Sequence, residues 1–359
     1  MATKTREQLV ENSLLFQANS QKHIKELGVK KITSYAEILS WEFPKDGLLT
    51  NIYLMCTFKV NFTNNTDTSI SMTPLKTLPL EKVAGLIRKF TLDISSECIP
   101  INVSGSELVY MNMLCANNNH INPNDKSTFF NIQLSSNTCS SKKTETATFN
   151  FLLNAEVVFN QKELIGLIPL QTRTANARVT LDFHNPINIF GSKYGDSEIQ
   201  SIEIEPSYQT QSIPHVNGVD ILPDTGNIKN LMSETYSCIA GRNSKHLRTE
   251  SNIIYRRILM ILPDGMNVDN ITSNIEILVN TNVKFWNVKP KLLQAINQSR
   301  YGLPTAKNFL SFDFTDNGTP NYGGTRDYID ARGITELWFN FTADMEGQID
   351  FVIETVEII

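Results

Sequence analysis

The chain has five cysteines (Cys56, Cys98, Cys115, Cys139, Cys238) but no CxxC pair. It also has no run of about 18 apolar residues and none of the glycine-rich signatures that cradle phosphate. Each absence excludes something. An odd cysteine count without paired spacing argues against a zinc ribbon and against a complete disulfide framework, and free thiols in a reducing cytoplasm account for it. Without a long apolar run no helix is expected to cross a bilayer. In the N-terminal MATKTREQLVENSLLFQ, acids interrupt the apolar core that a secretory signal needs. GxSxG, GxxxxGK[ST] and GxGxxG are all missing, which removes the hydrolase elbow and the common nucleotide cradles. His23, His120, His184, His215 and His246 show neither HExxH nor i, i+4 spacing, so no metal or other cofactor is expected.

Basic charge is also scarce, with a formal net charge of −5, so nothing draws the chain as a whole to nucleic acid. The bases that exist are concentrated at the start: residues 1–31 hold six bases and three acids, which leaves −8 on the remainder. Asn-x-Ser/Thr triplets, such as Asn102 to Ser104 and Asn340 to Thr342, read as chance matches in an Asn-rich chain.

What the sequence does have is short runs of Val, Ile, Phe, Tyr and Thr, the residues that fit a pleated surface, over 359 residues, enough for two cores. Residues 5–27 are the one long helix expected: Thr5 and Gln8 form a capping box, Leu9, Val10, Leu14 and Phe16 supply apolar spacing, and Gly28 stops it. This basic arm, residues 1–28, lies on a membrane surface or a neighbouring subunit, or packs on its own domain; amphipathicity alone does not choose.

Beyond the arm, strand patterns follow one another. KFTLDISSE alternates Phe90, Leu92 and Ile94 with polar neighbours, and TFNFLLNAEVVF places Phe149, Phe151, Leu153, Ala155, Val157 and Phe159 on one face. SGSE opens a helix-like ELVYMNML. ARVTLDF closes the first set as its last strand, and the turn-rich HNPINIFGSKYGDSE marks a boundary near residue 190. The pattern then restarts. IQSIEIEPSY stands as a first strand, NIIYRRILMIL and SNIEILVN follow, KPKLLQAINQSRYGL takes the helix position, and TELWFNFTAD and GQIDFVIETVEII end the second set. The expected organisation is all-β: two consecutive eight-stranded jelly rolls, 29–190 and 191–359, the second with a long loop insertion at 212–250.

The ordered set LIRKFTLDISSECIPINVSGSELVYMNML, TFNFLLNAEVVF and LIPLQTRTANARVTLDF has a second, looser copy after it and a helical arm before it. It resembles a double jelly-roll major capsid protein, above all those of tectivirus-type tailless icosahedral phages with an internal membrane. The resemblance covers nearly the whole chain. It implies a homotrimeric capsomer of hexagonal outline, with strands perpendicular to the capsid surface, loop towers outward and the arm turned toward an internal membrane. It further implies a virion protein made in the host cytoplasm, whose partners are its own copies, neighbouring capsomers and minor capsid proteins such as a vertex penton and glue or tape proteins, with no catalytic residues.

Few side chains stand out as candidates for function. Leu9, Val10 and Phe16 on the arm, with Arg173 and Arg178 around QTRTANAR, are candidate interface residues: the arginines serve a turn and a wet sheet face that a neighbouring subunit could meet. Arg256 and Arg257 are successive in a strand, so one must face away from the other, which reads as an edge or interface feature. Asp264, Asn267 and Asp269 lack EF-hand spacing and read as a turn. Trp41, Trp286 and Trp338 read as sandwich core rather than as a platform for sugar. The alternative function is a double jelly-roll glycan-cleaving or carbohydrate-binding protein. The former needs two carboxylates held close across a cleft, and the absence of an export signal and the unpaired cysteines count against both.

Overall fold

The computed structural model describes residues 6–94, 98–115, 129–159, 166–171, 176–216, 218–223, 225–280, 283–301, 308–315 and 328–358, and leaves out the side chains of 6–10, 115, 301 and 358. The chain divides into two compact units, one running to Thr225 and one from Gly226, with the segment around Phe159 counted in the second.

Helix α1 (Arg6–Asn19) opens the first unit. Among the described residues ten strands of three residues or more follow: β1 (Lys22–Glu26), β2 (Lys30–Ile32), β3 (Leu39–Glu42), β4 (Leu48–Thr63), β5 (Ile87–Ile94), β6 (Cys98–Val103), β7 (Phe130–Leu134), β8 (Thr144–Glu156), β9 (Ala177–Phe183) and β10 (Asp196–Gln211). Helix α2 (Gly105–Cys115) lies between β6 and β7. One sheet runs β1–β10–β4–β8–β7, with β2 also on β10; the other runs β3–β9–β5–β6. With β1 and β2 as the first strand of the roll and β8 as the sixth, the two sheets have the order 1-8-3-6 and 2-7-4-5, the connectivity of a jelly roll.

The second unit repeats that order. Its strands are β11 (Asn227–Cys238), β12 (Gly241–Leu247), β13 (Ile253–Ile261), β14 (Ile275–Val279), β15 (Val283–Val288), β16 (Phe309–Asp313), β17 (Leu337–Ala343) and β18 (Gly347–Ile358), with helix α3 (Pro290–Tyr301) after the fifth. The sheets run β11–β18–β13–β16 and β12–β17–β14–β15, again 1-8-3-6 and 2-7-4-5. The fold class is two consecutive eight-stranded jelly rolls.

Alternation fills both cores. On β4, Ile52, Leu54, Cys56, Phe58, Val60 and Phe62 are buried, and across from them on β8 so are Phe149, Phe151, Leu153 and Ala155. Phe58 stacks on Phe151 at 5.6 Å within the sheet and meets Phe183 of β9 edge-on at 5.8 Å, tying one sheet to the other. In the second roll Phe339 is the hub, 5.0 Å from Phe312 and 5.2 Å from Phe351. Such edge-to-face pairs add to the area that the rings remove from water.

Turn chemistry sets the corners. Ser104 accepts from the Glu107 N–H, and Glu107 accepts from the Ser104 N–H, a capping box that starts α2. Gly195 has φ +87°, and a Cβ there would stand 2.3 Å from the Thr63 carbonyl oxygen, so only glycine lets β10 begin beside the end of β4.

Three expectations are corrected. The helix expected over 5–27 ends at Asn19, and Lys22–Glu26 forms strand β1 on β10. Asn19 and Ser20 are poor helix continuers, and Asn19 Nδ2 turns back to the Leu15 carbonyl. IQSIEIEPSY does not open the second roll; it lies in β10, the eighth strand of the first, so ARVTLDF is the seventh and the division falls after Thr225 rather than at 190. The segment 212–250 is not a loop insertion, because it holds β11 and β12, the first two strands of the second roll.

Candidate assembly surfaces

Within α1, Leu9 and Val10 lie on the helical backbone but their side chains fall outside the description, whereas Phe16 is 0% exposed and Leu14 points to solvent. One apolar side chain of the arm is thus already spent on packing. Arg173 lies outside the described residues. Arg178 stands on the wet face of β9, half-exposed, with its guanidinium 3.1 Å from Asp93 Oδ2 on β5 and Glu42 of β3 in register on its other side.

Arg256 and Arg257 do not sit at an edge and do not point apart. The register of β13 on β18 slips between Tyr255 and Arg257, so a β-bulge at Arg256 brings two successive side chains to the same partner. Arg256 Nη1 donates to Glu354 Oε1 at 3.0 Å and Arg257 Nη1 donates to Glu354 Oε2 at 3.1 Å. Arg257 Nη2 also donates to Asp313 Oδ2 of β16 at 3.1 Å, and Lys229 Nζ stands 3.9 Å from Glu354. All five side chains are buried. Burial by itself would push the Glu354 carboxyl up, but Arg256, then Arg257, then Lys229 outweigh it and hold it below its ordinary range. The Arg256 guanidinium lies 4.0 Å from the Phe159 ring centre and its Nε donates to the Tyr328 hydroxyl at 3.0 Å. The cluster is a clamp inside the second unit rather than a docking surface.

The remaining candidates scatter. Trp41 is core and Trp286 packs against the core, but Trp338 does not: Leu337, Phe339 and Phe341 take the inward positions of β17, and Trp338 lies on the outer face with His246 at 4.8 Å. His215 pairs with Asp220 at 2.9 Å on an exposed hairpin, His184 follows β9, and His120 lies outside the described residues. Asn267 caps a short turn at Val268–Asn270. Among the described residues no group of three or more His, Cys, Asp or Glu side chains could hold a metal ion, and no helix is long and apolar enough to cross a membrane.

What remains as a site is surface. The outer face of β4, β8 and β10 carries Met55 directly between Leu152 and Glu205, and α3 with β15 carries exposed Val283, Phe285 and Leu292. These faces offer contact area.

Two consecutive rolls of one strand order make a double jelly roll, the fold known from viral major capsid proteins. Solved structures of that kind match this chain along almost its full length. The STIV MCP aligns with a TM-score of 0.65 at 11% identity over 94% of this chain and 97% of that one. The PBCV-1 virus capsid gives 0.62 at 9% identity over 94% of each chain. The major capsid protein P2 from bacteriophage PM2 gives 0.54 at 10% identity over 94% of this chain and 98% of that one. No protein-family model and no curated protein matches the sequence.

Proposed function

We propose that this chain is a structural coat protein of an icosahedral virus, which forms homotrimers of hexagonal outline and tiles them into the shell. The observation that carries it is the shared strand order of two successive rolls, 1-8-3-6 and 2-7-4-5 in each, with β7 an added strand beside β8 in the first. Three such pairs supply six like walls, which is what a hexagonal tile needs, and closed cyclic symmetry is the common way for one chain to bury its lateral surfaces. The fold likeness to viral capsid proteins over 94% of the chain supports the same reading.

The finer parts of the proposal follow from it. The virus is a tailless phage with an internal membrane; the basic N-terminal stretch turns inward toward that membrane, while minor capsid proteins fill the vertices and bind between capsomers. The protein is made in the host cytoplasm and ends in the virion. It has no enzymatic activity and no specific nucleic-acid site. Leu9 and Val10 contact the inner neighbour, and Arg173 and Arg178 meet an adjacent subunit. Negative-stain electron microscopy of the purified full chain tests the core of the proposal: hexagonal particles of three copies are expected, and a field of single two-roll particles at micromolar concentration would overturn it. Charge reversal at Arg173 and Arg178 together is expected to weaken the trimer; an unchanged trimer would remove the arginines from the interface.

A further inference from the structure

Because the two rolls share one strand order, each sheet face of one has a counterpart in the other. The outer face of β3, β9 and β5 in the first roll is ionic, with Arg178 paired to Asp93 and Arg88 to Asp182. Its counterpart in the second roll, the outer face of β12, β17 and β14, carries an indole. Alternation turns Leu337, Phe339 and Phe341 of β17 into the core, so Trp338 and Asn340 lie on the outer face, and strand pairing sets His246 and Leu278 on either side of Trp338.

The indole is held in place. Its Nε1 donates to Glu336 Oε2 at 3.4 Å, and the His246 ring stands at 67° to it with the ring centres 4.8 Å apart. Trp338 is half-buried, while His246 and Ser244 beside it on β12 are exposed. An aromatic plane fixed at the surface of a sheet costs little ordering when a flat, weakly polar partner lies on it.

The neighbouring row consists of hydrogen-bonding groups. Asn340, two residues along β17 from Trp338 and so about 7 Å away, lies between Ser244 of β12 and Glu276 of β14. It is 8% exposed, and its Oδ1 has no hydrogen-bond partner among the described residues. A covered acceptor without a donor carries a desolvation cost, which a hydroxyl arriving from a ligand removes. Lys284 is already held by Glu276, and Arg242 stands beside Thr342, four residues along β17 from the indole. A polyanion, which needs several free cations side by side, is a poor match for such a face. A neutral saccharide is a good one, because a sugar ring has a face of C–H groups that stacks on an aromatic plane and a rim of hydroxyls that both donate and accept.

We infer that Trp338, with Asn340 and Glu276 beside it, binds a hexose ring of a neutral glycan, the C–H face on the indole and a hydroxyl donating to Asn340 Oδ1. The site lies within the second roll alone and is independent of the coat-protein reading.

The test uses the full chain, with cellohexaose, maltohexaose and mannohexaose as neutral probes, dextran sulfate as an anionic probe, and Trp338→Ala and Asn340→Ala as variants whose folding is verified by near-ultraviolet circular dichroism. Isothermal titration calorimetry of the wild type is expected to show saturable binding of at least one neutral hexamer, with a Kd on the order of 1 mM. Trp338→Ala is expected to abolish this binding and Asn340→Ala to weaken it about tenfold. If Trp338→Ala unfolds, His246→Ala, at an exposed position, takes its place and is expected to weaken binding severalfold, since the indole loses its support. No binding of any of the three neutral hexamers, binding of dextran sulfate alone, or binding unchanged in the variant at position 338 or 246 would overturn the inference. The oligomeric state, read separately by mass photometry, bears on the coat-protein reading and not on this one.

Discussion

At Arg256 one bulged residue changes what the whole strand can do. Two arginines share Glu354, and removing that carboxylate leaves both cations buried without their common partner. Glu354→Gln is therefore expected to cost about 3–5 kcal/mol in urea unfolding, the range for breaking a buried ion pair. The pH dependence has a defined sign. The folded-state carboxyl is held below its ordinary value of 4.5, so the unfolded chain takes up the proton first. The stabilisation is complete above that value and is lost only as the pH falls through the depressed one. Urea midpoints of wild type and Glu354→Gln should thus differ by a constant amount at neutral pH and converge in acid; a gap that stays constant down to the acid limit would contradict the clamp. None of this is readable from RR in a strand, because alternation assumes an unbroken ladder and the bulge is set by the strand opposite. Phe16 is the second residue-scale case: its complete burial predicts that Phe16→Ala destabilises by about 3 kcal/mol, and a loss near zero would make the arm detachable.

Strands were legible as strands, but their partners were not. TFNFLLNAEVVF announces its faces, and the structure buries Phe149, Phe151, Leu153 and Ala155 as the alternation requires. SGSE announces a helix start, and Ser104 and Glu107 make that cap. IQSIEIEPSY is as plainly a strand, yet its place as eighth rather than first is decided by pairing with β4, whose residues lie about 150 positions earlier, and local pattern holds no record of that. For the same reason 212–250 reads as a loop: GRNSKHL is polar even at its buried positions Asn243 and Lys245, and only its pairing with Phe341 and Phe339 of β17 makes it a strand. Gly195 is the element-scale test of the β10 placement. Gly195→Ala drives a Cβ onto the Thr63 carbonyl and forces an unfavourable φ, so a loss of about 1–3 kcal/mol is expected in thermal unfolding. A neutral substitution would mean that β10 does not start where the register places it.

At the scale of the whole molecule the proposed role is a closed ring of three copies that tiles into a shell. Absence of recognisable chemistry in the sequence selects no assembly; the shared strand order of the two rolls supports the proposed one, and it lies in pairings between distant strands that local sequence pattern does not hold. The most direct measurement is native mass spectrometry of the full chain at micromolar concentration and low salt. The account predicts a dominant species of three times the chain mass, whereas a single chain mass that holds at every concentration would contradict it.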